Sequence, residues 1–184
     1  MILLFIWACQ PEPPPVLLDI PDFSLVDTQN KPVSRSTFEG KVWLADFIFT
    51  SCHGPCPVLS AQMAEIQAHY KLEPELLLVS FTVDPQTDTP AVLADYGRRF
   101  QADPSRWLFL TGEPTAVRAT IVDGMKQLME NIPATIDQPA NILHSERLVL
   151  IDRQGKIRAF PDFKEKEELY RNVDAVLQEG RGWF

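Results

Sequence analysis

Two stretches of the chain are apolar almost without interruption, Val42-Trp-Leu-Ala-Asp-Phe-Ile-Phe49 and Leu76-Leu-Leu-Val-Ser-Phe-Thr-Val83. Runs of this length and composition predict strands buried on both faces at the centre of a sheet. Between them Leu59, Met63, Ile66 and Tyr70 recur at spacings of four, three and four, one face of a helix opening near Pro57. Ala91 to Phe100 reads as a second helix with Val92, Tyr96 and Phe100 inward, and Asp88-Thr89-Pro90 supplies its start and cap. Trp107-Leu-Phe-Leu110 is a third short strand, and Trp43 and Trp107 belong to the core. Glu113 to Val122 is a further helix. Lys164 to Gln178 closes the chain as an amphipathic helix with Leu169, Val173, Val176 and Leu177 inward.

Turn signals organise the rest. Asp22 to Asp27 and Pro32 to Ser34 form a hairpin around Thr28-Gln-Asn-Lys31, and Glu146 to Ile151 pairs with Lys156 to Phe160 around Asp152-Arg-Gln-Gly155. Met125 to Leu143 carries no sustained period and is expected to be a long loop serving function. No composition break or repeat divides residues 16–184, so one domain is expected there. Strands alternating with helices, then an antiparallel pair, describe an α/β fold of the thioredoxin-like sandwich type. Its central sheet is mixed, with flanking helices and an N-terminal hairpin.

Composition narrows the partners. Seventeen Lys and Arg against 25 Asp and Glu give a net charge of −8, which argues against a nucleic-acid partner. Three cysteines are too few for a disulfide-stapled mini-fold. The first, Cys9, ends the apolar run Met1-Ile-Leu-Leu-Phe-Ile-Trp-Ala8 and precedes Gln10-Pro-Glu-Pro-Pro-Pro15. That run is far below the roughly 20 residues a membrane-spanning helix needs. It resembles the tail of a bacterial lipoprotein signal peptide, although its charged start is missing: the first basic residue is Lys31. On that likeness residues 1–9 are a signal ending at a lipidated Cys9, and residues 10–15 are a Pro-rich tether. The expected location is the periplasmic face of a bacterial inner membrane.

The other two cysteines lie in Thr50-Ser-Cys-His-Gly-Pro-Cys-Pro57, at the junction of a buried strand and a helix, where open α/β sheets place their chemistry. Backbone N–H groups at the helix start favour thiolate there. Three residues separate Cys52 from Cys56, a bite wide enough for a soft metal such as Cu(I) as well as for a disulfide. A structural disulfide, two packing thiols and zinc are the competing accounts; zinc prefers four ligands.

Phe49-Thr-Ser-Cys-His-Gly-Pro-Cys-Pro57 resembles the F-T-x-C-x-x-x-C-P signature of the Sco (SenC/PrrC-type) family of copper proteins. Val79-Ser-Phe-Thr-Val-Asp-Pro-Gln-Thr-Asp-Thr-Pro90, Trp107 to Gly112, and His144-Ser145 followed by Leu148 to Gly155 resemble further segments of that family, in order. The resemblance implies one copper ion held by Cys52, Cys56 and His144. It also implies a metallochaperone role in maturing the CuA site of cytochrome c oxidase, by delivering copper or by reducing the recipient's cysteines. The implied partners are the oxidase copper-site subunit, other copper carriers and thiol reductants. Asp84 matches a family acid near the site. Many members carry Asp immediately before the metal-binding His; Leu143 stands there in this chain, so the task of fixing the imidazole tautomer falls elsewhere or lapses. His53 and His69 are expected at the surface.

The rival reading is an enzyme, a thiol–disulfide reductase using Cys52 and Cys56 as a redox-active pair. It has no use for His144. A peroxidase needs an activated Cys with nearby Thr and Arg, a pattern not evident here, and a copper sensor or storage domain would share the same ligands.

Overall fold

The two apolar runs lie side by side at the centre of the fold. A computed structural model describes residues 12–52, 54–132 and 141–179. The chain begins with β1 (Leu18–Asp19) and the hairpin β2 (Leu25–Val26) and β3 (Pro32–Val33). A 3-10 turn at Arg35–Phe38 leads into β4 (Val42–Ile48), α1 (Pro55–His69), β5 (Leu76–Thr82), α2 (Pro90–Arg99) and β6 (Trp107–Leu110). Then come α3 (Pro114–Arg118), a π-helical turn at Ala119–Gly124, β7 (Met129–Ile132), β8 (Asn141–His144), β9 (Val149–Ile151), β10 (Lys156–Ala159) and α4 (Lys166–Gln178).

Six strands form one sheet in the order β1-β10-β9-β4-β5-β6. β4, β5 and β6 are parallel, whereas β9, β10 and β1 add antiparallel pairs. This is the mixed sheet expected of a thioredoxin-like fold. All seven residues of β4 are buried, because strands flank it on both edges and side chains cover both faces. The crossovers β4–α1–β5 and β5–α2–β6 step in the same direction, so the right-handed rule puts both helices on one face. The Ser60 and Tyr96 hydroxyls join them at 2.9 Å. The Tyr70 hydroxyl donates to Asp174 at 2.9 Å, which brings α4 beside α1. On the opposite face Phe38 stacks on Trp43 with centroids 4.7 Å apart, and Phe23 sets its edge against Phe81.

Four expectations need correction. The first helix opens at Pro55 rather than Pro57, which takes Cys56 into its first turn. In α2 Tyr96 is buried and Phe100 packs on the core as expected, but Leu93 and Gly97 share that face and Val92 stands at the surface. Gly97 is required there, since a Cβ would stand 2.9 Å from the Phe109 ring. The helix expected over Glu113 to Val122 is α-helical only to Arg118 and continues as the π-helical turn. Finally, the stretch expected as a loop carries a two-stranded ribbon, β7 with β8, in which Met129 faces His144 and Glu130 faces Leu143. The ribbon pairs with no other strand among the described residues, so its side chains lack the clean alternation of a sheet with one wet face.

The edge strand β1 is fastened by a buried cation. Arg158, 5% exposed, bonds the carboxylates of Asp152 at 3.0 Å and of Glu179. Its Nε donates to the Pro14 carbonyl at 2.8 Å, which holds the described end of the Pro-rich segment against the sheet. No helix among the described residues is long and apolar enough to cross a membrane.

One carboxylate lies within the core itself. Asp46 of β4 is fully buried and accepts from the Ser80 hydroxyl at 2.5 Å, while Ser80 accepts from Trp107 Nε1 at 2.8 Å. Its second oxygen, Oδ2, has no hydrogen-bond partner among the described residues. Burial raises the pKa of Asp46 to about 7, against the smaller opposing effect of the Ser80 bond. The folded protein therefore holds this proton where the unfolded chain has lost it. The associated stability is complete below about pH 4 and disappears as pH rises through about 7. Denaturant titrations should show wild type losing stability relative to Asp46→Asn across that window, by about 4 kcal/mol at most. A pH-independent difference between the two would refute the assignment.

Candidate metal centre

The site forms where β4 gives way to α1. Beyond Ile48 the backbone turns, and the Cys52 N–H donates to the Phe49 carbonyl at 3.2 Å. Gly54 donates its N–H to Cys52 Sγ at 3.4 Å and stands as the residue before α1. Cys52 is half-buried, whereas Cys56, in the first helical turn, is fully buried; both are free thiols. Pro55 at the start of α1 needs no N–H partner there, so the helix can begin directly after the loop.

The third candidate reaches the pair from the ribbon. His144, the last residue of β8, places Nε2 at 3.5 Å from Cys56 Sγ. Its other nitrogen, Nδ1, lies 3.0 Å from the Ser145 carbonyl. A carbonyl only accepts, so Nδ1 carries the proton and the Nε2 lone pair faces the thiol. Phe49 sets its ring edge-on to the imidazole, centroids 5.7 Å apart. The Ser145 backbone thus does what an Asp at position 143 would do, and Leu143 is left largely exposed.

Burial governs the charge of both groups. It pushes the Cys56 thiol well above its usual pKa, assisted by a hydrogen bond with Cys52. The helix start, worth about 0.3–1 kcal/mol, does not overcome that, so the expected thiolate at the helix terminus is not what the fold favours at Cys56. Burial also lowers the pKa of His144, against the Ser145 bond and the Glu146 charge. A protonated thiol beside a neutral imidazole is the resting arrangement. All three sequence candidates are brought together.

Asp88 is not the helix cap; that role falls to Thr89, whose side chain accepts from the Val92 N–H. Asp88 is instead buried, bonded to Thr50 and Thr82. Its place in the D-P-x-x-D-T-P segment was the one available signal, and the adjacent Thr-Pro hid it. Asp84 opens the loop after β5, its N–H bonded to Thr82 Oγ1 at 2.9 Å and its charge felt by Asp88. His69 is exposed as expected, stacked on Tyr170 at 4.5 Å. His53 and Cys9 lie outside the described residues.

Comparison with known proteins follows the same residues. The SCO1/SenC family model matches residues 17–178. A SCO1 protein homolog of Bacillus subtilis is 31% identical over 161 residues, spanning 85% of this chain and 81% of that protein. The structure of BsSco, described as a member of the Sco family of cytochrome c oxidase assembly proteins with a disulfide switch, superposes with a TM-score of 0.75. It is 25% identical and covers 92% of this chain and 99% of its own. Copper-bound ScoI of Bradyrhizobium japonicum superposes at 0.72 with 25% identity, over 85% of this chain and 97% of its own. With its whole folded core inside that match, the chain belongs to the SCO1/SenC family.

Proposed function

We propose that this protein is a copper metallochaperone that holds one Cu(I) through Cys52, Cys56 and His144 and hands it on during maturation of the CuA site of cytochrome c oxidase. The observation that carries this reading is the 3.5 Å approach of His144 Nε2 to Cys56 Sγ, with the imidazole proton committed to the Ser145 carbonyl. An unprotonated ring nitrogen beside a thiol is a ligand pair for a soft cation. Copper bound to the related ScoI and the oxidase-assembly description of BsSco support it. The recipient is the copper-site subunit of the oxidase, whose own ligands replace Cys52, Cys56 and His144 in steps. An oxidised Cys52–Cys56 bridge is the empty form, since both thiols are needed for capture.

A thiol–disulfide reductase would use the same two cysteines but would leave the histidine contact without a task. A redox pair needs only one attacking and one resolving thiol, so the approach of His144 Nε2 to Cys56 Sγ is the feature that it does not use. The metal reading gives that contact a task, because both atoms are donors to a soft cation.

Three measurements test the proposal. Reduced protein should take up one Cu(I) per chain, and Cys52→Ser or Cys56→Ser should abolish uptake. His144→Ala should weaken retention more than about tenfold while Cys52–Cys56 oxidation and re-reduction continue. Wild-type copper affinity in His144→Ala would favour the reductase. Because Cys56 enters as a thiol, uptake must release at least one proton. Chelator competition should therefore show affinity rising about tenfold per pH unit between pH 6 and 8; a flat profile would contradict a Cys56 ligand.

The location belongs to the same proposal. With Cys9 lipidated, the domain is tethered at the periplasmic face of a bacterial inner membrane. Native protein should partition with membranes, and Cys9→Ala should release it to the soluble fraction. Unchanged partitioning of that variant would remove Cys9 as the anchor.

A further inference from the structure

Of the three site residues, Cys56 is carried by a helix and His144 by a strand, but Cys52 belongs to neither. Its place depends on the turn after β4, and that turn has a side-chain support. Asp88, fully buried, accepts the Thr50 N–H at 3.1 and 3.3 Å through its two oxygens. It also accepts the Thr50 hydroxyl at 2.5 Å and the Thr82 hydroxyl at 2.6 Å. Thr82 Oγ1 in turn accepts the Asp84 N–H at 2.9 Å. One carboxylate thus ties the Cys52 turn to the end of β5 and to the loop that follows it.

We infer that Asp88 is the positioning residue for Cys52, setting its thiol against Cys56 and His144. Burying a carboxylate is costly unless donors surround it. Helix capping does not account for the burial, because Thr89 performs it. Thr50 lies two residues beyond the last residue of β4, past the reach of the strand ladder. By holding both the N–H and the hydroxyl of that residue, Asp88 extends the fixed backbone to within two positions of Cys52. Cys52 lies outside any helix or strand, so the starting point of its turn decides where the thiol stands against Cys56 and His144. The inference rests on the copper reading for its consequence in metal binding, but the hold on Cys52 is testable without metal.

The experiment compares full-length wild type, Asp88→Ala and Thr50→Val, the last removing only one hydroxyl. Metal-free protein is equilibrated with glutathione, two protein thiols and one oxidised glutathione exchanging with the protein disulfide and two reduced glutathiones. Asp88→Ala should shift this equilibrium about tenfold toward the dithiol, because the two sulfurs are no longer held together. Alkylation of the buried Cys56 in the reduced protein should stay within about twofold of wild type. Cu(I) affinity should fall about 10- to 100-fold, the loss typical when a group that orients a ligand is removed. Thr50→Val should move each quantity in the same direction by less. An unchanged thiol equilibrium would overturn the inference, as would Cys56 alkylation rising in step with it, which marks loosening of the whole fold. If Asp88→Ala does not fold, Thr50→Val decides by the same readings. If wild type takes up no copper, the carrier reading fails, and the thiol equilibrium still judges Asp88.

Discussion

Both cysteines of the candidate site are hung from the end of β4. Its seven residues are buried, paired in parallel with β5 along one edge and antiparallel with β9 along the other. A strand enclosed in this way cannot shift register without exposing apolar side chains or breaking ladders on both sides. Its carboxyl end is therefore a fixed point, and the chain leaving it must turn at once into α1. The cysteine loop is short because that distance is short, and the helix opens on Pro55 because no N–H partner is needed there.

The fixed point also explains which features were legible in the sequence. Val42 to Ile48 and Leu76 to Thr82 were readable because burial on both faces leaves no alternation to misjudge. Cys52 and Cys56 were readable because their neighbours make sense only at a strand–helix junction. Val92 is misplaced because it lies at the margin of the buried face of α2: Leu93, three residues before Tyr96, takes the inward position while Tyr96 and Phe100 keep theirs. The ribbon of β7 and β8 was hidden for a different reason. Its strands pair only with each other among the described residues, and exposed Leu128 and Leu143 flank buried Met129. No hydrophobic period forms under those conditions. His144 was found by resemblance alone, and its Ser145 partner is a backbone carbonyl, which carries no residue signature at all.

The electrostatics of the site follow from depth rather than from charged neighbours. Burial is the first cause of the shift at both Cys56 and His144. It acts in opposite directions on the two pKa values yet toward the same outcome, because an acid and a base each lose their charged form. A thiolate–imidazolium pair is thereby disfavoured at both ends. The Cys56–His144 pair therefore rests neutral, a thiol against an unprotonated ring nitrogen.

The two halves of the site are attached to the rest of the molecule very differently. Cys56 is rooted beside the six-stranded sheet, whereas His144 ends an arm whose strands pair only with each other among the described residues. The contact between them closes a loop of 88 positions along the chain. Any bridge made at that contact acts as a cross-link, restricting the arm and the body together, and its strength is added to the resistance of the arm to local opening. Occupancy would then be readable at a distance from the sulfurs, as slower amide hydrogen exchange along Met129–Ile132 and Asn141–His144.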